Sequence, residues 1–239
     1  MIEACKLSDQ GCVRANNEDY CAIEPALGLY VLADGMGGAR AGETASRMAV
    51  ETVVGEISGR DVRNLEALLE AVEQAHRAVL EAARQDRRLE GMGTTLVAAL
   101  EVGGRMAIAS VGDSRFYLLN EGGLRLITAD QSWVNEIGRP LGLGEKSLRS
   151  HPMRHVLTMA IGARAPLSIN SYEIALEPGA IALVCSDGLH GVLESGEIKA
   201  VLLKAREGAQ LDGCCRMLIE SAKERGGPDN ITVIVMRQS

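Results

Sequence analysis

With 239 residues, 46% of them apolar, the chain is long enough for one large domain with a sizeable core, and no stretch has the composition of a linker. A net charge of −7, from 25 Lys+Arg against 32 Asp+Glu, leaves no electrostatic footprint for nucleic acid or an anionic membrane. No apolar run approaches the ~18 residues of a membrane span; the opening residues lack a signal peptide's basic and apolar regions; and the six cysteines show no Cys-x-x-Cys pair, so a reducing, cytoplasmic setting is expected.

Tyr20–Ile23 and Leu29–Ala33 read as short strands, the second leading into a glycine turn, Asp34-Gly35-Met36-Gly37-Gly38. Glu43 to about Ile57 reads as a helix. After Gly59, apolar residues from Leu65 to Ala83 recur at three- and four-residue steps and predict a second. The period then changes. Thr94–Glu101, Arg105–Val111, Arg115–Asn120 and Leu124–Ile127 are strand-like, with Gly103-Gly104 and Gly122-Gly123 suited to tight hairpins. Residues 131–165, punctuated by Gly and Pro and less regular, read as a long excursion or small subdomain within a single domain spanning 1–239. Strands follow at Ser171–Leu176 and Ile181–Cys185, helices at Ser195–Ala205 and Gln210–Arg225, and a last strand at Ile231–Met236. Hairpin blocks and paired helices without βαβ alternation point to an α+β sandwich of antiparallel sheets.

Four aspartates share one setting, the edge of an apolar strand: Asp34 after Tyr30–Ala33, Asp113 after Ile108–Gly112, Asp187 after Ile181–Ser186, and Asp229 before Ile231–Val235. One such Asp is an ordinary turn or helix cap. Four of them, each costly to bury alone, suit hard divalent cations, which take carboxylate and carbonyl oxygens and keep several waters. The glycines after Asp34 lack the Lys-Ser/Thr ending of a P-loop and do not spell G-x-G-x-x-G, so a nucleotide cradle is not expected. Upstream, Arg14-Ala15-Asn16-Asn17-Glu18-Asp19 offers a guanidinium able to hold two phosphate oxygens, and two acids able to orient water around a metal. Of the histidines, His76 reads as a polar rim residue of its helix, His190 as lining a site or packing a turn, and His151 and His155 fall in the excursion.

In order, the stretches Arg14-x-x-Asn17-Glu18-Asp19, Asp34–Gly38, Gly91-Met92-Gly93-Thr94-Thr95, Gly112–Arg115, Leu126–Ser132, Ser186-Asp187-Gly188-Leu189 and Asp229-Asn230-Ile231-Thr232 resemble the metal-dependent Ser/Thr protein phosphatases of the 2C type, over about residues 8–236. The resemblance implies a four-layer α-β-β-α sandwich of two antiparallel sheets flanked by helix pairs, with two to three Mn²⁺ or Mg²⁺ ions at one end. By position, Asp34 would bridge two ions, Asp187 and Asp229 would complete the coordination of the first ion, and the Gly35 carbonyl would touch the second. Asp113, with Asp187, would hold a third; Arg14 would bind substrate phosphate; Glu18 and Asp19 would act through metal-bound water. The implied chemistry is attack on phosphorus by a water shared between two ions. Phosphorylated Ser/Thr proteins would be the substrates, with a bacterial Ser/Thr kinase opposing, and the protein would act as a monomer. Two departures stand out: Met36 where many relatives carry histidine, and Met159 where many carry arginine. A non-catalytic phosphoprotein-binding relative is the alternative, and phosphotyrosine or small phosphate esters stay open as substrates.

Overall fold

The computed structural model describes residues 1–37, 41–163 and 166–239, apart from the side chain of Arg149. Gly38 of the glycine motif and residues 164–165 of the excursion lie outside the described residues. The strands are β1 (Ile2–Asp9), β2 (Asp19–Glu24), β3 (Leu29–Met36), β4 (Gly93–Thr94), β5 (Leu96–Val102), β6 (Arg105–Val111), β7 (Arg115–Asn120), β8 (Gly123–Leu126), β9 (Asn170–Ala175), β10 (Ile181–Cys185) and β11 (Ile231–Gln238). The helices are α1 (Ala41–Ser58), α2 (Leu65–Gln85), α3 (Glu145–Ser150), α4 (Asp187–His190), α5 (Ser195–Arg206) and α6 (Leu211–Glu224).

The strands form two antiparallel sheets, ordered β1-β11-β10-β7-β8 and β2-β3-β5-β6-β9, with β4 also paired to β3. Each sheet is covered on both faces, which is why its strands read as nearly unbroken apolar runs. Along β3, Leu29, Val31 and Ala33 pack under α1 and α2 with Val50, Val53, Leu68 and Val72. The alternate residues Tyr30 and Leu32 face the other sheet and meet Phe116, Leu118, Val184 and Ile234. On the far side, Leu183, Val233 and Val235 pack beneath α5 and α6 with Ile198, Leu202, Leu218 and Ile219. The result is a four-layer α-β-β-α sandwich. Asn64 caps α2, its side chain accepting from the Ala67 N–H at 2.8 Å, and Glu194 with Glu197 forms a capping box at the start of α5.

The sequence reading departs from the structure at several places. The N-terminal strand β1 was not expected. Its residues are only partly buried, and it owes its place to pairing with β11 along its full length. The Asp34-Gly35-Met36 stretch is strand, not turn, because Gly35 and Met36 pair with Thr94 and Gly93. The run from Thr94 is interrupted at Thr95, whose N–H and hydroxyl serve Asp34. His76 is buried rather than at a rim, and its Nδ1 accepts a hydrogen bond from the Gly162 N–H at 3.1 Å. The excursion between β8 and β9 is more ordered than its composition suggests. It holds a helical turn at Val134–Gly138, helix α3, and Trp133 stacked on His151 with ring centroids 4.0 Å apart. The bridge Ser132–Leu157 closes it on itself, and the bridge Thr94–Ile161 ties it to the sandwich.

Candidate metal centre

The layer between the sheets changes chemistry at one end of the strands. Because side chains alternate with period two, Asp34 lies on the same face of β3 as Tyr30 and Leu32, and Asp19 on the same face of β2 as Cys21. Asp19 and Asp34 stand directly opposite each other across β2 and β3. Like charges in that position are destabilising unless something compensates them. Asp187 opens α4 at the end of β10, and Asp229 precedes β11. Asp113 sits on the turn between β6 and β7, so the strand ends that the sequence marked do come together.

The electrostatics record that proximity. Loss of hydration is the largest influence on Asp34 and raises it well above the usual carboxylate range, helped by the charges of Asp19, Asp187, Asp113 and Asp229. Burial, followed by Asp229, raises Asp187, with Asp34 partly offsetting the rise. Asp113 is pushed up to about 8 by burial and then by Asp187 and Asp130, against the pull of Arg115. Asp19 rises to about 7, mainly from burial, although hydrogen bonds from Thr232 and Ser186 oppose this. Asp19 Oδ1 and Asp187 Oδ1 are buried without a hydrogen-bond partner.

Arg14 belongs to the same cluster. Its Nη2 donates to Asp229 Oδ2 at 2.6 Å, and its charge is felt by Asp187. Glu18 is directed elsewhere. Its side chain accepts from Asn16 Nδ2 at 3.1 Å and lies against Gly42 in the first turn of α1. Its backbone carbonyl accepts from the Gly35 N–H and from Ser46 Oγ. Gly35 is required here for close approach rather than for bending: a Cβ on it would lie 2.2 Å from the Gly42 carbonyl oxygen and 2.6 Å from that of Glu18. Gly188 is constrained in the same way, its Cβ position lying 1.9 Å from the Asn230 carbonyl oxygen.

Several supporting residues had no assigned role in the sequence. Thr94 Oγ1 donates to the Asp34 carbonyl at 2.8 Å, Thr95 Oγ1 accepts from the Asp34 N–H at 3.0 Å, and Thr95 Oγ1 lies 2.7 Å from Ser114 Oγ. Ser186 Oγ donates to Asp19 Oδ2 at 2.8 Å. Gln131 holds the Asp113 turn by accepting from the Gly112 N–H, and Arg115 makes a two-pronged ion pair with Asp130 beside it. His190 Nε2 lies 3.0 Å from the Asp113 carbonyl oxygen, and burial lowers the imidazole to about 4, so it packs the turn as a neutral ring. Asn230 fixes the Asp229 turn by donating to the carbonyls of Gln10 and Asn16 and accepting from the Glu18 N–H. Most of these residues fall within the stretches quoted above, but the sequence did not show their partners.

Among the described residues, no three Asp, Glu, His or Cys side chains converge as a closed ligand cluster. Asp229 is turned to Arg14 instead. Hard divalent ions keep several waters and take one or two carboxylates apiece, so spaced acids suit them. Unpartnered buried carboxylate oxygens, mutual repulsion and an all-oxygen donor set fit such ions and no softer metal.

Two antiparallel sheets between helix pairs, with desolvated aspartates and an arginine at one end, have the layout of a metal-dependent phosphatase. The family model for protein phosphatase 2C matches residues 13–205, and the chain belongs to that family. A Ser/Thr phosphatase, stp, of Listeria monocytogenes is 31% identical over 97% of this chain and 94% of its own length. The Streptococcus agalactiae Ser/Thr phosphatase structure superposes with a TM-score of 0.92 at 36% identity, covering 100% of both chains. The catalytic domain of the phosphatase PstP in complex with two manganese ions gives a TM-score of 0.87 at 32% identity, over 99% of this chain and 97% of that one.

Proposed function

We propose that this chain removes phosphate from phosphoserine and phosphothreonine in proteins, using divalent ions held by Asp34, Asp187 and Asp229. The observation that carries the reading is the group of desolvated aspartates at one end of the sandwich, with carboxylate oxygens of Asp19 and Asp187 left without partners. Family membership and near full-length similarity to proteins named Ser/Thr phosphatases support the reaction class. The acids are all present, which argues against a non-catalytic binding role.

Two ions, Mn²⁺ or Mg²⁺, would be held by Asp34, Asp187, Asp229 and the Gly35 carbonyl, and a third by Asp113 with Asp187. The ions supply positive charge that activates water near neutral pH and offsets charge on the phosphoryl oxygens. Arg14 holds the phosphate by its guanidinium, and Asp229 orients that guanidinium from 2.6 Å. Thr94 and Thr95 fix the backbone of Asp34, so its carboxylate does not have to be ordered during turnover. Asp19 acts from behind, oriented by Ser186. Glu18 supports the Gly35 backbone by its carbonyl, a role different from the water-mediated one inferred from the resemblance. The substrate phosphoproteins would be those of an opposing Ser/Thr kinase. A single catalytic domain, acting as a monomer in the cytoplasm, suits that role; no helix among the described residues is long and apolar enough to cross a membrane.

Phosphate release from matched phosphoserine, phosphothreonine and phosphotyrosine peptides, with Mn²⁺, Mg²⁺ or chelator, tests this. Chelator-sensitive release favouring the first two is expected. Folded protein that binds Mn²⁺ calorimetrically yet releases no phosphate from any peptide would overturn it.

A further inference from the structure

Beside the acids, the excursion leaves an open cleft of about 610 Å³ against the sandwich. Seven of the nine described residues that line it are apolar, Met36, Ile137, Val156, Leu157 and Met159 among them, which suits a hydrocarbon side chain. Ile137 and Val156 are each 40% exposed, apolar surface left uncovered at the mouth of the cleft.

The cleft adjoins the candidate metal centre at two points. Met36 follows Asp34 and Gly35 on the same strand, β3. His155, another lining residue, is near enough for its charge to lower Asp187. A phosphorylated side chain seated on the acids therefore brings its own polypeptide past this cleft. Residues next to the phosphorylated one fall within reach, since consecutive Cα atoms are about 3.8 Å apart. Among the described lining residues only His155 has a basic side chain, so they offer a phosphate little.

We propose that this cleft is a substrate subsite that receives an apolar side chain flanking the phosphorylated residue of a phosphoprotein. The inference rests on the phosphatase reading above and adds a substrate preference to it. Ile137 and Val156 form the accessible lip, and Met159 and Leu157 line the cleft with flexible or branched hydrocarbon that adapts to Leu, Ile, Met or Phe. Burying one such side chain favours the apolar-flanked substrate by roughly 10- to 100-fold in kcat/KM over an acidic-flanked one.

The test uses phosphothreonine peptides carrying Leu, Gly, Lys or Asp in turn at each of the two positions on either side of the phosphorylated residue. Each rate is divided by the same protein's rate on p-nitrophenyl phosphate, which has no flanking residue. With Mn²⁺, the wild-type protein should favour Leu by at least about 10-fold at one position or more. Val156→Asp and Ile137→Lys, both at exposed positions, should abolish that preference, with Val156→Asp turning it toward Lys. Equal relative rates for all peptides in the wild-type protein overturn the inference while leaving the phosphatase reading intact. Failure to hydrolyse any peptide or p-nitrophenyl phosphate overturns both. A flat peptide profile together with self-association that Val156→Asp abolishes assigns the cleft to a second copy of the chain and overturns the inference.

Discussion

Along β3, Tyr30 and Leu32 share one face with Asp34; along β2, Cys21 shares one with Asp19. The same alternation thus fills one stretch of the inter-sheet layer with Tyr30, Leu32, Ile108, Phe116 and Val184, and its end with acids. In the first region burial stabilises, because apolar area leaves water. In the second it destabilises, because carboxylates lose hydration and face one another. The two regions are joined by continuous strands, so the dry one holds the charged one together, and cations offset what the charged one lacks.

The sharpest way to break that comparison is to remove charge at the acid end. Asp34→Asn and Asp187→Asn should each lower metal-dependent phosphopeptide turnover by about 10³-fold or more. The same substitutions should raise the melting temperature of the chelated protein, since a desolvated charge has gone. Steady-state kinetics and thermal melts in chelator check the two halves separately.

In the apolar region the sign reverses. Phe116→Ala should destabilise the protein by about 3–5 kcal/mol, seen in its urea midpoint, because the fully buried ring leaves a cavity between the sheets. Turnover by the folded fraction should keep its metal dependence.

A pH series separates the regions without mutation. Asp19 is raised to about 7 and Asp113 to about 8 from an ordinary 3.8. Acids raised in the folded state favour folding below their unfolded value, and that contribution is lost as pH climbs through the folded values. The chelated protein should therefore melt lower at pH 8 than at pH 5, by roughly 5–10 °C. Saturating Mn²⁺ should flatten the profile, and Asp113→Asn should remove its upper part.

The smallest effect is expected at the junction. Thr95→Val removes the hydroxyl that joins the Asp34 N–H to Ser114 and should cost about 1–2 kcal/mol by denaturant unfolding. Turnover should fall several-fold as Asp34 loses its backbone support.

Much of this was legible in the chain itself. Leu65 to Ala83 has the helical period of α2, Arg105–Val111 and Arg115–Asn120 match their strands to the residue, and Gly103 and Gly104 both take positive φ, of 57° and 77°, at their hairpin. The acids could be picked out because each adjoins an apolar strand, a local pattern. β1 was missed because a partly buried edge strand has weak alternation, and only β11 gives it a partner. His76 was misjudged because its own polarity outweighed its place on the buried face with Val72 and Val79, and its partner Gly162 lies 86 residues away. Gly35 looked like part of a turn and proved to be a contact with α1, since composition does not distinguish freedom to bend from lack of room.

By itself, then, the sequence determined where strands, helices and charged strand ends lie, because periodicity and turn chemistry act over a few residues. Only the tertiary structure decided that Asp19 faces Asp34, that Arg14 reaches Asp229, that Glu18 turns away to α1, and that the excursion leaves an apolar cleft beside the acids. Those relations depend on strand register and on which layers close over one another, and they join residues that local pattern cannot connect.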